Sequence, residues 1–168
     1  MSLTRILARR RIALGFLAAV AALVLARPTP LTWWIGLVTA IAGEAIRIWA
    51  AGHLEKGREV TASGPYRFSR HPLYLGSTII GVGFAIAAAS VAAACVAVAY
   101  LAITLTAAMR GEEAHLTEKF GTAYPAYREG RAPGGQRRFS MTRVMSNREY
   151  RAVAGLGAVL ALLWWKVL

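Results

Sequence analysis

The sequence predicts an all-α fold, a polytopic membrane helix bundle of about five transmembrane helices that includes a tight helical hairpin. Three observations predict it. First, 57% of the 168 residues are hydrophobic, and they gather in runs too long and uniform to be one face of a soluble helix. Second, the basic residues flank those runs rather than interrupting them, as at the ends of membrane spans. Third, there is no strand–helix alternation and no glycine-rich fingerprint of a dinucleotide fold. At this length, residues 1–168 form a single domain.

The first span is read at residues 12–26, IALGFLAAVAALVLA, rich in the strong helix formers Leu and Ala. The basic arm before it, with Arg5, Arg9, Arg10 and Arg11, resembles a signal peptide. Because Arg27-Pro28 and a second apolar run follow at once, it is read as an uncleaved span. The second span covers 31–52, with Trp33 and Trp34 as interfacial anchors. It carries Glu44 and Arg47, three apart and so on one face. Charges this deep face a bundle interior, pair with each other or, for Arg47, snorkel to the nearby surface. A basic connector, 53–72, leads to two apolar segments, 73–89 and 91–109, split only by Ser90. One continuous helix there would be about 55 Å long, too long for a bilayer, so a hairpin with a turn near Ser90 is expected, its small residues permitting close packing. Residues 112–120 have the spacing of a separate amphipathic surface helix, with Glu112 and Glu113 in its first turn and Gly121 as its stop. The final span is 152–168, anchored by Trp164, Trp165 and Lys166.

The net charge of +12 raises nucleic acid as a partner. Its distribution favours membrane orientation and attraction to anionic lipid instead. Seventeen of the twenty Lys and Arg residues lie in the N-terminal arm, the 53–72 connector and the 110–151 region. Five spans put all three on one side, which the positive-inside bias makes cytoplasmic. The expected location is an inner (plasma) membrane or its equivalent, with N-terminus and active site cytoplasmic. A transporter, which needs a polar path through the bilayer, is disfavoured. Cys95 is the only cysteine, which excludes an internal disulfide and a Cys-cluster metal site. No metal is expected.

Three blocks carry candidate chemistry. In GPYRFSRHPLYLG, residues 64–76, Gly64-Pro65 ends any preceding helix and Pro72 suits the first turn of the next. Arg70 suits a bidentate grip on an anion and His71 acid–base or hydrogen-bonding work, although Arg and aromatic residues at a span's end are also ordinary anchors. The second block is Arg110-Gly111-Glu112-Glu113, and the third is FGTAYPAYR, in which Tyr124 and Tyr127 stand three apart and suit one pocket wall or an interfacial role. His115 has no ligand-spaced partner.

In their order, GPY…RHPLYLG, a helical hairpin, then EEAHL…FGTAYPAY, these blocks resemble the integral-membrane methyltransferases of the isoprenylcysteine carboxyl methyltransferase and phospholipid methyltransferase superfamily. The resemblance covers about residues 36–133. It implies an S-adenosylmethionine-dependent methyltransferase acting on a lipid or lipid-linked acceptor at the cytoplasmic face, by carboxylate O-methylation or head-group amine N-methylation. It implies cofactor contacts from Tyr66, Arg70, His71, Pro72, Tyr74, Gly76, Glu112 and Glu113. Glu113 or His71 is the candidate base for an amine acceptor, Arg110 and Arg47 are candidates to orient an anionic one, and His53, Tyr124 and Tyr127 are candidates for the acceptor's surroundings. Carboxyl methyltransferases of this family carry an Arg about a turn before the acidic pair. The nearest here, Arg110, stands three residues before Glu113, which leaves the acceptor open. Membrane lipids are the implied partners. Two other readings remain: a sterol-reductase-like membrane enzyme with a nicotinamide cofactor, for which the chain is short, and a non-enzymatic scaffold binding anionic lipid.

Overall fold

A computed structural model describes residues 15–131 and 137–168. The basic arm, the start of the first span at residue 12 and Pro133 lie outside the described residues. The described chain is helical, without a strand. Its elements are α1 (Gly15–Leu25), α2 (Pro30–His53), a 3-10 turn (Gly64–Arg67), α3 (Pro72–Ala88), α4 (Val91–Phe120), α5 (Ala123–Arg128), α6 (Met141–Ser146) and α7 (Tyr150–Trp165). By length and composition α2 and α4 can each cross a membrane, and α1, α3 and α7 are shorter apolar helices. Of the thirty residues of α4 only Ala93 is buried. Val91, Val98 and Ile103 face outward, an arrangement that costs free energy in water and none in lipid.

α2 starts where the sequence provides both a cap and a helical first φ. Thr29 and Thr32 form a reciprocal capping box, and Pro30 occupies the first turn. α2 and α3 then run antiparallel and share the most extensive helix contact of the bundle. Small residues make this possible. A Cβ on Gly43 would stand 2.7 Å from the Gly76 carbonyl oxygen, and one on Gly83 would stand 2.7 Å from both the Ala40 nitrogen and the Gly36 carbonyl oxygen. Backbone therefore lies against backbone, as small-residue seams in membranes allow.

The hairpin turn falls where expected. Ala89 takes a left-handed conformation (φ 45°), and the Ser90 hydroxyl accepts from Ala93 N–H at 3.3 Å to start α4. The expectation of a separate surface helix over 112–120 is overturned, because α4 continues unbroken through Arg110-Gly111 to Phe120. Gly111 meets no crowding and needs no positive φ, so nothing there ends the helix. Glu112 and Glu113 are thus mid-helix, not in a first turn. At 1.5 Å per residue α4 is about 45 Å long against about 30 Å of hydrocarbon, so about 15 Å, close to three turns, projects beyond it. Gly121 ends the helix at φ 52°, as the sequence suggests.

The two ends of the bundle are tied differently. At the hairpin end, Lys166 Nζ donates to the carbonyls of Leu23, Val24 and Ala26 at 2.8, 3.1 and 2.6 Å, closing the C-terminus of α1. Trp33 Nε1 donates to Leu160 O at 2.9 Å and its ring packs on Trp164. At the other end the C-terminal carbonyls of α2 are satisfied from the α6 region. Arg143 Nε donates to Gly52 O at 2.8 Å, and Asn147 Nδ2 donates to Ala51 O and Leu54 O at 3.0 and 3.1 Å. The connector is held to the same region by Arg137, which pairs with Glu55 at 2.5 Å and Glu59 at 2.7 Å.

Candidate functional site

The 3-10 turn Gly64–Arg67 brings the connector under the bundle, with Gly64 at φ 57° and its Cα against the His53 ring. No residue with a side chain fits there without displacing that ring. The chain then reaches His71, the N-cap position of α3, with Pro72 fully buried behind it. The projecting part of α4 passes directly across. His71 Nε2–H donates to Glu113 Oε1 at 2.9 Å, and Arg70 Nη1 stands 3.5 Å from the same oxygen. One turn into α3, the Tyr74 hydroxyl lies close to the Glu112 carboxylate, and its ring lies 5.6 Å from that of His71. The two sequence blocks are therefore joined side chain to side chain across 42 residues.

Electrostatics follow from these contacts. The hydrogen bond from His71, with Arg70 and Arg128 nearby, holds the Glu113 carboxyl below its ordinary 4.5 even though partial burial pushes the other way. It is a settled carboxylate. Burial, reinforced by the field of Glu113, pushes the Tyr124 phenol up to about 12, and burial likewise raises Tyr66 and Tyr127. All three are neutral phenols at physiological pH. Tyr127 Oη donates to the Tyr66 carbonyl at 2.7 Å, fastening α5 to the 3-10 turn. Tyr124 is 3% exposed and its hydroxyl has no hydrogen-bond partner among the described residues. An orphaned buried hydroxyl beside a carboxylate and a guanidinium marks a place where a polar ligand completes the set.

Below the His71–Glu113 contact a groove of about 460 Å³ opens between α3 and α4, lined by His71, Tyr74, Thr78, Leu101, Leu105 and Met109 among others. Its rim is polar and its floor apolar. The junction above the groove, rather than the groove lining itself, holds a guanidinium on Arg70, carboxylates on Glu112 and Glu113 and the rings of His71 and Tyr74, a donor set that fits the carboxylate, ammonium, ribose hydroxyls and planar base of S-adenosylmethionine.

The structure thus brings together Arg70, His71, Tyr74, Glu112 and Glu113, with Tyr66, Tyr124 and Tyr127 adjoining. It places the other five candidates elsewhere or in other work. Gly76 lies in the α2–α3 seam, where a Cβ would stand 2.6 Å from both Arg47 Cγ and the Gly43 carbonyl oxygen. Its smallness serves helix approach rather than the groove. Arg47 lies on that far side too, bound to Glu149 at 2.5 Å and to the Ser77 hydroxyl at 2.5 Å. His53 is buried, with Nδ1–H donating to Trp49 O at 3.0 Å and its ring against Gly64 and Phe139. Pro72 shapes the backbone. Arg110 is exposed on α4, next to the groove residue Met109. Sequence reasoning missed Glu149 and Arg128. Glu149 stands as an acid at the threshold of the last apolar run, and Arg128 closes the FGTAYPAYR block, where only the tyrosines were singled out.

A family model described as phospholipid methyltransferase matches residues 38–123, from the middle of α2 to the start of α5 and across the whole His71–Glu113 junction. No curated protein and no solved structure matches the chain.

Proposed function

Because the chain belongs to the phospholipid methyltransferase family, we propose that it transfers a methyl group from S-adenosylmethionine to a lipid or lipid-linked acceptor at the cytoplasmic face of an inner or plasma membrane. The observation that carries this is the His71–Glu113 hydrogen bond, with Arg70 on the same oxygen and the orphaned Tyr124 hydroxyl beside it.

When bound, the cofactor supplies an electrophilic methyl on a sulfonium with its leaving group already activated. The chain's work is to bind, align and exclude water. Arg70 takes the carboxylate of the cofactor, Glu112 and Glu113 its ammonium or ribose hydroxyls, Tyr74 and His71 pack on the ring system, and Tyr124 completes the polar set. Glu113, held as a carboxylate below 4.5, is a weak base. It therefore acts as an anchor rather than as the group that deprotonates an amine. The acceptor enters from the lipid along the apolar floor at Leu105 and Met109, and Arg110 orients an anionic head group at the mouth.

Transfer of tritiated methyl from labelled S-adenosylmethionine into a native lipid extract tests the reading. Label in the organic phase with wild type and its loss with Glu113→Ala are expected. No organic-phase label with wild type would overturn it.

A further inference from the structure

A second cavity lies on the other side of α3. It has a volume of about 390 Å³, opens to the surface of the bundle and is bordered by α1, α2, α3, α4 and α7, with walls such as Ala19, Phe84, Tyr100 and Leu156. A Cβ added to Gly155 on the α7 wall would meet nothing within 4 Å, so the space is open there. Gly81 and Leu101 border both this cavity and the groove. They also touch, since a side chain on Gly81 would collide with Leu101. The α3–α4 contact thus partitions the two spaces.

One end of this apolar chamber is charged. Glu44 and Arg47 line it, and Glu149 binds Arg47. Two carboxylates face one guanidinium, and that guanidinium is committed to Glu149 and Ser77. Glu44 is 6% exposed, and among the described residues neither of its carboxylate oxygens accepts a hydrogen bond. The nearest cationic atom, Arg47 Nε, is 3.5 Å away and is itself without a hydrogen bond. An unsatisfied carboxylate buried within a membrane helix bundle is costly and marks a functional position. A donor that also fills an apolar chamber must be amphiphilic.

We infer that this cavity binds a single-chain amphiphile with a cationic amine head, the ammonium donating to Glu44 and the chain lying between α3, α4 and α7. The site is separate from the methyl-transfer groove and does not depend on that reading. Ser77, which contacts Arg47, is six residues past His71, about 9 Å deeper along the helix axis.

The test uses the full-length protein in detergent and a long-chain alkylamine bearing a terminal diazirine, with the alkyl carboxylate of equal length as comparator. After irradiation, labelled residues are mapped by mass spectrometry. The amine is expected to label cavity residues such as Phe84 and Leu156, and the carboxylate is expected to leave them unlabelled. Glu44→Gln, which keeps side-chain volume, should lower amine labelling about tenfold, the loss of one charge-assisted hydrogen bond. Gly155→Leu should abolish it by filling the chamber without touching Glu44. Melting temperatures verify that both variants fold. Equal labelling by amine and carboxylate, labelling confined to the outer faces of α1 and α4, or labelling unchanged in both variants would overturn the inference.

Discussion

His71 and Glu113 work as one unit, which predicts how their loss behaves. Each alanine substitution should weaken S-adenosylmethionine binding about tenfold or more, the scale of a hydrogen bond to a charged group. The double variant should fall short of the sum by about 1 kcal/mol, because both changes remove the same contact. The pH dependence follows from the depressed Glu113 carboxyl. Its contribution to stability is fully present above the ordinary 4.5 and is lost as pH falls through the lower folded value. The melting-temperature gap between wild type and Glu113→Gln should therefore be flat at neutral pH and close on acidification. A gap that instead widens below 4.5 would mean that the sign is wrong. At this scale the sequence was readable where residue types were unusual: Arg70, His71, Glu112 and Glu113 stood out by charge beside apolar runs. It was silent on partners. Nothing in the spacing shows that Arg47 reaches Glu149, 102 positions away, rather than an acceptor, or that Gly76 faces α2 rather than the groove.

Among the elements, the α2–α3 seam is the rigid member against which the groove is built. Gly83→Val would press its side chain onto the backbone of Gly36 and Ala40 and should destabilise by about 1–3 kcal/mol. Gly111→Ala meets nothing within 4 Å inside a continuous helix and should stabilise by about 0.5–1 kcal/mol through helix propensity. Thermal denaturation in one detergent compares the two, and opposite signs are expected. Asn147→Ala removes both side-chain donors from the end of α2 and should cost about 1–2 kcal/mol. The hairpin was legible because thirty-seven apolar positions cannot be one span, which forces a turn near Ser90. The unbroken α4 was not, because Gly111 and two acids look like a boundary yet impose none. The α6 cap was hidden because its signal, Arg143 and Asn147 in a polar stretch, acquires meaning only once α2 is known to end beside it.

For the whole molecule, the hairpin turn, the Lys166 clasp and the Trp33–Trp164 pair lie at one end, and the connector, α5, α6 and the His71–Glu113 junction at the other. The basic residues gather at the second end, so the positive-inside bias predicts its orientation. In a Cys95→Ser background, Lys119→Cys should react with an impermeant maleimide only from the cytoplasmic side, and Ser90→Cys only from the opposite side. The reverse pattern would place the groove on the wrong face. The central claim is that the Arg-His and Glu-Glu blocks form one cofactor site. Titration of the purified protein with S-adenosylmethionine by calorimetry tests it most directly. Saturable binding by wild type that is lost or weakened about tenfold or more in both His71→Ala and Glu113→Ala is the predicted result; no binding by wild type, or binding undiminished in both variants, would contradict it.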